Sequence, residues 1–181
     1  MILSKIKNPK SDIYYQIKEF VLSGDFPWFY KQDAHVILGD AGDYQSPPFY
    51  SHQLLGRPGS KDLPGKMYPD KTSNYFDNFY PFLEQVVSEN DLQVSTFLRF
   101  NVNCVHPQDD RRLTVPHVDH QFPHMNLLVY LTDAGGETVL MEGDESVAFH
   151  PAEDDIILFQ GLHCMRPPEE KRRIVLVATF V

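Results

Sequence analysis

Two spacings of apolar residues divide the chain. In "SDIYYQIKEFVLSGDFPWFY", Ser11 or Asp12 can cap a helix whose apolar residues Ile13, Ile17, Phe20 and Val21 fall on one face, and Gly24 ends it. In "SNYFDNFYPFLEQVVSEN", a capping Ser73 or Asn74 precedes Phe76, Phe79, Tyr80, Leu83, Val86 and Val87 at the same spacing, with Pro81 as a kink risk. Between them, residues 39–70 are rich in Gly, Pro, Asp and Ser, and only "PFYSHQLL" reads as a strand. Beyond residue 91 the period changes. "LQVSTFLRFNVNCV", "MNLLVYLTD", "ETVLMEG", "ESVAFHP", "DDIILFQ" and "RRIVLVATFV" are short β-branched and aromatic runs separated by Gly, Asp and Pro turns.

Regular short strands of this kind predict a mostly β fold, a sandwich or small barrel of the jelly-roll type with supporting α-helices. A length of 181 residues suits one domain. Residues 1–91 read as helical and loop support, and residues 92–181 as the β core. The 13% aromatic content and 14 prolines agree with a turn-rich sheet protein.

Charge and cysteine content narrow the function. A formal net charge of -9 repels phosphate backbones, and the longest basic run is Lys171, Arg172 and Arg173, so no nucleic-acid partner is expected. Cys104 and Cys164 are the only cysteines and lack CxxC spacing, which argues against a disulfide framework or a thiolate zinc site. No apolar run approaches the roughly 18 residues of a membrane span, and "MILSKIKNPK" lacks the apolar centre of a signal peptide. A cytoplasmic protein without membrane association is expected.

The chemistry concentrates in "TVPHVDHQFPH". Alternation along an extended backbone places His117 and Asp119 on one side and Val118 and His120 on the other. "FQGLHCM", just after an apolar run, offers His163 as a third metal ligand. Two histidines and one carboxylate on one face of an octahedral metal leave adjacent positions open, the arrangement of non-haem Fe(II) oxygenases. Ten residues on, Arg173 opens the strand "RIVLVATF", where it shares a side with Val175, Val177 and Thr179. An inward guanidinium there requires an anionic partner, and a dicarboxylate co-substrate would satisfy it and the metal together.

These residues, in the order His117-Val118-Asp119, His163, Arg173, resemble the Fe(II)/2-oxoglutarate-dependent oxygenase superfamily. The prolyl-hydroxylase-like branch is the most similar, particularly small bacteriophage oxygenase-like proteins, with "VYLTDAGGET" and "EKRRIVLVATFV" in the same order. The resemblance covers roughly residues 92–181. It implies a double-stranded β-helix (jelly-roll or cupin-like) barrel in which His117, Asp119 and His163 hold Fe(II) and act in catalysis. It also implies that Arg173 binds the distal carboxylate of 2-oxoglutarate, with dioxygen as second co-substrate. Tyr130 lies where related enzymes place a phenol on the same carboxylate, and it reads equally as a core tyrosine. Thr138, two residues beyond the "GG" turn, reads equally as pocket lining or as structure. Arg172 rivals Arg173 by one register step. The face it shares with Ile174, Leu176 and Phe180 suits outer packing better.

The implied reaction hydroxylates a protein side chain or a small molecule and releases succinate and carbon dioxide. Two other readings remain open: a β-barrel that binds a ligand or partner without turnover, and a cupin-like metalloenzyme that does not use 2-oxoglutarate. His120, His124 and His106 read as hydrogen-bonded or solvated residues, with the first two near a substrate mouth. His52 and His150 read as structural. Loops around Tyr44 to Tyr75 and Gln121 to His124 are expected to shape the entrance. The substrate itself, the native metal as against nickel or zinc, and the oligomeric state are not encoded in these patterns.

Overall fold

The computed structural model describes residues 2–32, 42–58 and 69–181; residues 33–41 and 59–68, which take in much of the Gly/Pro-rich stretch, lie outside the described residues. The described elements are β1 (Ile2–Ile6), α1 (Asp12–Leu22), β2 (Phe29–Lys31), β3 (Phe49–Leu55), α2 (Phe76–Glu89), β4 (Phe97–Val105), β5 (Met125–Tyr130), β6 (Thr138–Glu142), β7 (Glu145–Phe149), β8 (Ile156–Gln160), β9 (Leu162–Met165) and β10 (Arg173–Phe180). The strands form a seven-stranded sheet in the order β1-β8-β5-β10-β4-β3-β2 and a three-stranded sheet in the order β7-β6-β9. All named pairings are antiparallel.

Both helices form where the apolar spacing predicts. Ser11 caps α1 by accepting from the Tyr14 amide, and the buried stripe is Tyr14, Ile17 and Val21. The start of α2 is later than expected, with Tyr75 rather than Ser73 at the cap, and the helix runs through Pro81. Ser73 still serves the helix start, accepting from the Tyr75 amide. Among the described residues, the first 91 do more than support the core, since they also supply β1, β2 and β3 to the major sheet. β1 and β2 escaped the reading because strands of five and three residues carry too few periods to stand out.

The central strand β10 is buried at all eight positions. Its Ile174, Leu176, Ala178 and Phe180 join Tyr14, Ile17, Phe79, Phe82 and Leu83 of the helices in one core. The face expected to pack outward therefore packs under the helical layer. The opposite face gives Val175 and Val177 to a second, smaller core with Leu128, Tyr130, Phe159 and Leu140, the last from the minor sheet. Helices cover one side of the major sheet, and the minor sheet covers the other. The candidate site residues sit in the space between the sheets.

The α1–sheet junction is polar at its rim. Tyr14 donates from its hydroxyl to Asp154 Oδ1 in the loop before β8, and Lys18 pairs with the same carboxylate at 2.5 Å. Burial, followed by the neighbouring Asp154, pushes the Tyr14 phenol well above its ordinary range. It remains a donor throughout the stable pH range.

Candidate metal centre

The two histidines of the expected triad are brought together by backbone pairing. His117 and His163 face each other in an isolated antiparallel bridge, with His117 N donating to His163 O at 2.9 Å and His163 N to His117 O at 3.0 Å. Thr114 continues the pairing, its amide donating to Met165 O at 2.8 Å. The "TVPH" segment thus extends the minor sheet beyond β9. Directly opposed residues project to the same face, and the two imidazole centroids lie 4.4 Å apart. β9 was missed as a strand because only four residues follow Gly161, whose φ of 108° turns the chain out of β8.

Asp119 joins them from two residues beyond His117. Its Oδ2 is 3.8 Å from His163 Nε2, and the three side chains offer ligand atoms that all lie within 4.8 Å of one another. The tautomers suit a metal. His117 Nδ1 lies 3.2 Å from Val115 O and His163 Nδ1 lies 3.1 Å from Gly161 O, so each Nδ1–H is held by a carbonyl and each Nε2 presents its lone pair. Burial, followed by the adjacent His163, pushes the His117 imidazole down to about 4. Burial also lowers His163. Both are neutral, ligand-competent imidazoles at neutral pH.

The carboxylate is held by two arginines that the sequence patterns did not single out. Arg57, just past β3, donates from Nη2 to Asp119 Oδ1 at 2.7 Å, and Arg99 of β4 donates to the same oxygen. Burial alone would raise the Asp119 carboxyl, but the adjacent Arg99, with His163 when protonated and Arg57, outweighs it and holds it well below the carboxylate range. Because both guanidiniums engage Oδ1, the oxygen toward His163 is Oδ2. A signal for Arg99 did exist. Arg99, Asn101 and Asn103 recur at every second position of an apolar strand, which marks one polar face of β4. With its amide turned so that both atoms are satisfied, Asn101 accepts from Arg99 Nη2 at 3.0 Å.

Arg173 lines the same cavity as the triad. This cavity of about 250 Å³ is lined by His117, Asp119 and His163 together with Thr138 and Arg173, and by the apolar Leu128, Val175 and Val177. Arg173 is 4% exposed, donates from Nε to Gly136 O at 3.1 Å and from Nη2 to Thr138 Oγ1 at 3.0 Å, and pairs with no carboxylate among the described residues. Arg172 is exposed. The register therefore buries Arg173 and turns Arg172 to solvent. Gly136 is required at its turn, since its φ is 77° and a Cβ there would lie 2.9 Å from Arg173 Cδ and 2.8 Å from Arg166 O.

Tyr130 is fully buried behind the cavity rather than on its wall. Its hydroxyl is 2.7 Å from Thr138 Oγ1, and its ring lies under the Arg173 guanidinium at 5.2 Å. It braces Thr138 and Arg173. Cys164 also lines the cavity, and burial pushes its thiol up to about 11.

Of the other histidines, His52, His120 and His124 are hydrogen-bonded, whereas His106 and His150 are exposed. His52 spans Pro27 O and Ser73 Oγ at 2.7 Å each, and His120 Nε2 is 2.9 Å from Thr179 Oγ1. His124 holds Phe122 O through Nδ1. No helix among the described residues is long and apolar enough to cross a membrane.

No protein-family model and no curated protein matches the chain. Solved structures do. An oxidoreductase of the 2OG-Fe(II) oxygenase family from Burkholderia pseudomallei aligns with a TM-score of 0.69 at 14% identity, covering 98% of this chain and 85% of that one. A prolyl hydroxylase from Trichoplax adhaerens, in complex with a hypoxia inducible factor peptide fragment, aligns at 0.55 and 14% identity over 98% and 82%. A non-haem α-ketoglutarate-dependent epimerase from nogalamycin biosynthesis aligns at 0.57 and 11% identity over 99% and 77%. The chain thus has the double-stranded β-helix fold of the 2-oxoglutarate/Fe(II) oxygenases.

Proposed function

We propose that this protein is an Fe(II)- and 2-oxoglutarate-dependent dioxygenase that hydroxylates its substrate and releases succinate and carbon dioxide. One observation carries the reading: a buried arginine with no acidic partner among the described residues lines the same cavity as two histidines and an aspartate. A buried guanidinium without an anion is costly, so the cavity is built for an anionic ligand. A compact dicarboxylate reaching from the metal to Arg173 suits its volume, which lies at the small end for ligand sites.

His117 and His163, through Nε2, and Asp119, through Oδ2, would hold Fe(II). Their donor set of two neutral imidazoles and one carboxylate suits it. Bound iron supplies the redox chemistry with dioxygen. The chain does the rest. Val115 and Gly161 carbonyls fix the imidazole tautomers, and Arg57 and Arg99 keep Asp119 ionised and turned. Arg173 and Thr138 bind the distal carboxylate, while Leu128, Val175 and Val177 keep water from the co-substrate's carbon chain.

The test is succinate formation from 2-oxoglutarate with anaerobically metallated protein. It should require Fe(II) and oxygen and fall sharply in Arg173→Ala. Dioxygen consumption by the metallated protein that neither needs 2-oxoglutarate nor changes in Arg173→Ala would favour a cupin-like enzyme independent of 2-oxoglutarate, and tight 2-oxoglutarate binding without any decarboxylation would favour a binding protein.

A further inference from the structure

A second cavity of about 870 Å³ opens beside the metal centre, between β2, β3, β4 and the segment leading into α2. It shares Phe49, Arg57 and Arg99 with the inner cavity, so these three residues lie at the boundary between the two. Its volume falls within the range of small-molecule sites. The charge of its lining is one-sided. Lys31, Arg57 and Arg99 contribute cations, and Ser51, Asn101 and Asn74 contribute neutral polar groups. Among the described residues no Asp or Glu lines it, although the chain has 25 acidic and 16 basic residues.

Two guanidiniums share the single Asp119 carboxylate, which leaves one positive charge unbalanced at this boundary. Arg57 is half-exposed, at 49%, gives only Nη2 to Asp119 among the described residues, and lines both cavities. Lys31, on the edge strand, makes no ion pair among the described residues. Arg173 is not part of this lining, so the inner carboxylate clamp does not account for it.

We propose that the outer cavity is the substrate site and that it selects a small molecule bearing an anionic group, a carboxylate or a phosphate, which Arg57 and Lys31 receive. This rests on the oxygenase reading for the identity of the neighbouring metal centre. Arg57 then joins two tasks, orienting Asp119 through Nη2 and reading the substrate's charge with its other donors. Phe29 and Phe49 flank the cations and supply apolar surface for the body of the molecule.

The experiment measures binding of two matched probe pairs to the Zn(II)-loaded protein by titration calorimetry or ligand-observed NMR: phenyl phosphate against phenol, and N-acetylphenylalanine against its amide. At least one anionic member should bind about tenfold more tightly than its neutral partner, as expected for charge-assisted hydrogen bonds. That preference should persist in Arg173→Gln, drop about threefold in Lys31→Gln, and disappear in Lys31→Gln/Arg57→Gln. Arg57→Lys should retain part of it. Lys31 is exposed, so its single variant remains informative if the double variant does not fold. Equal binding of charged and neutral partners in both pairs, or a preference that vanishes with Arg173 alone, overturns the proposal. Titration of the same samples with 2-oxoglutarate reads the inner cavity separately. Failure there contradicts the oxygenase reading without altering the probe ratios.

Discussion

Replacing Arg173 by glutamine should remove 2-oxoglutarate binding while leaving the fold intact. The guanidinium has five N–H donors; Nε serves Gly136 O, and one Nη2 hydrogen serves Thr138 Oγ1. Three donors therefore remain for an incoming carboxylate, enough for a two-pronged contact. A fully buried charge pair of this kind costs about 3–5 kcal/mol when one partner is removed. That corresponds to a roughly hundredfold to several-thousandfold rise in the 2-oxoglutarate Kd. The unliganded protein should not lose comparable stability, because its Arg173 is buried with neutral acceptors and the Tyr130 ring instead of an anion. Calorimetric titration of the metallated protein gives the affinity, and urea denaturation of the ligand-free protein gives the stability. Arg172→Gln is the control, since Arg172 is exposed and should change the Kd by less than about twofold. A threefold effect or less for Arg173→Gln, or an equal effect for Arg172→Gln, would refute the reasoning.

Gly136→Ala should weaken 2-oxoglutarate binding as well as cost about 1–3 kcal/mol in urea denaturation, because its added carbon meets Arg173 Cδ in a left-handed backbone conformation. An unchanged Kd would separate the turn from the arginine. In metal-free protein, His117 titrates near 4 when folded and near 6.5 when unfolded. The unfolded chain thus takes up its proton first as pH falls, and stability present above about 6.5 is lost toward pH 4, by about 2–3 kcal/mol between pH 7.5 and 4.5. Denaturation midpoints at those pH values should show a smaller loss in His117→Asn, and an identical loss would contradict it. Tyr14→Phe should cost about 1–2 kcal/mol, because it removes a hydrogen bond to the ionised Asp154 that Lys18 still pairs. A melting temperature unchanged from wild type would show that this contact is replaced by solvent.

The two helices, the strands from β4 to β8, and β10 were legible in the sequence because each repeats its period at least twice in residues that face a core. β1, β2 and β9 were not. Their pairing with distant partners, such as β1 with β8, stabilises them more than any local pattern. The His117–Asp119 hook was legible from alternation, and Arg173 from its place on an apolar strand. Arg57 and Arg99 were missed for different reasons. Arg99 belongs to a polar stripe on β4 whose partner lies far along the chain, whereas Arg57 sits two residues past the end of β3 and reaches Asp119 only through the tertiary fold. Tyr130 shows the limit of a residue-type argument, since a buried phenol serves equally as ligand donor or brace until its hydrogen-bond partner, here Thr138, is located.

The central claim is that one cavity joins a three-residue Fe(II) site to a carboxylate clamp. Anaerobic addition of Fe(II) followed by 2-oxoglutarate tests it most directly, by the weak visible charge-transfer band of the chelate. The account predicts a saturable band in the wild type that is lost in His163→Ala and needs at least a hundredfold more 2-oxoglutarate in Arg173→Gln. Wild-type protein that binds Fe(II) yet develops no band at any 2-oxoglutarate concentration would contradict it.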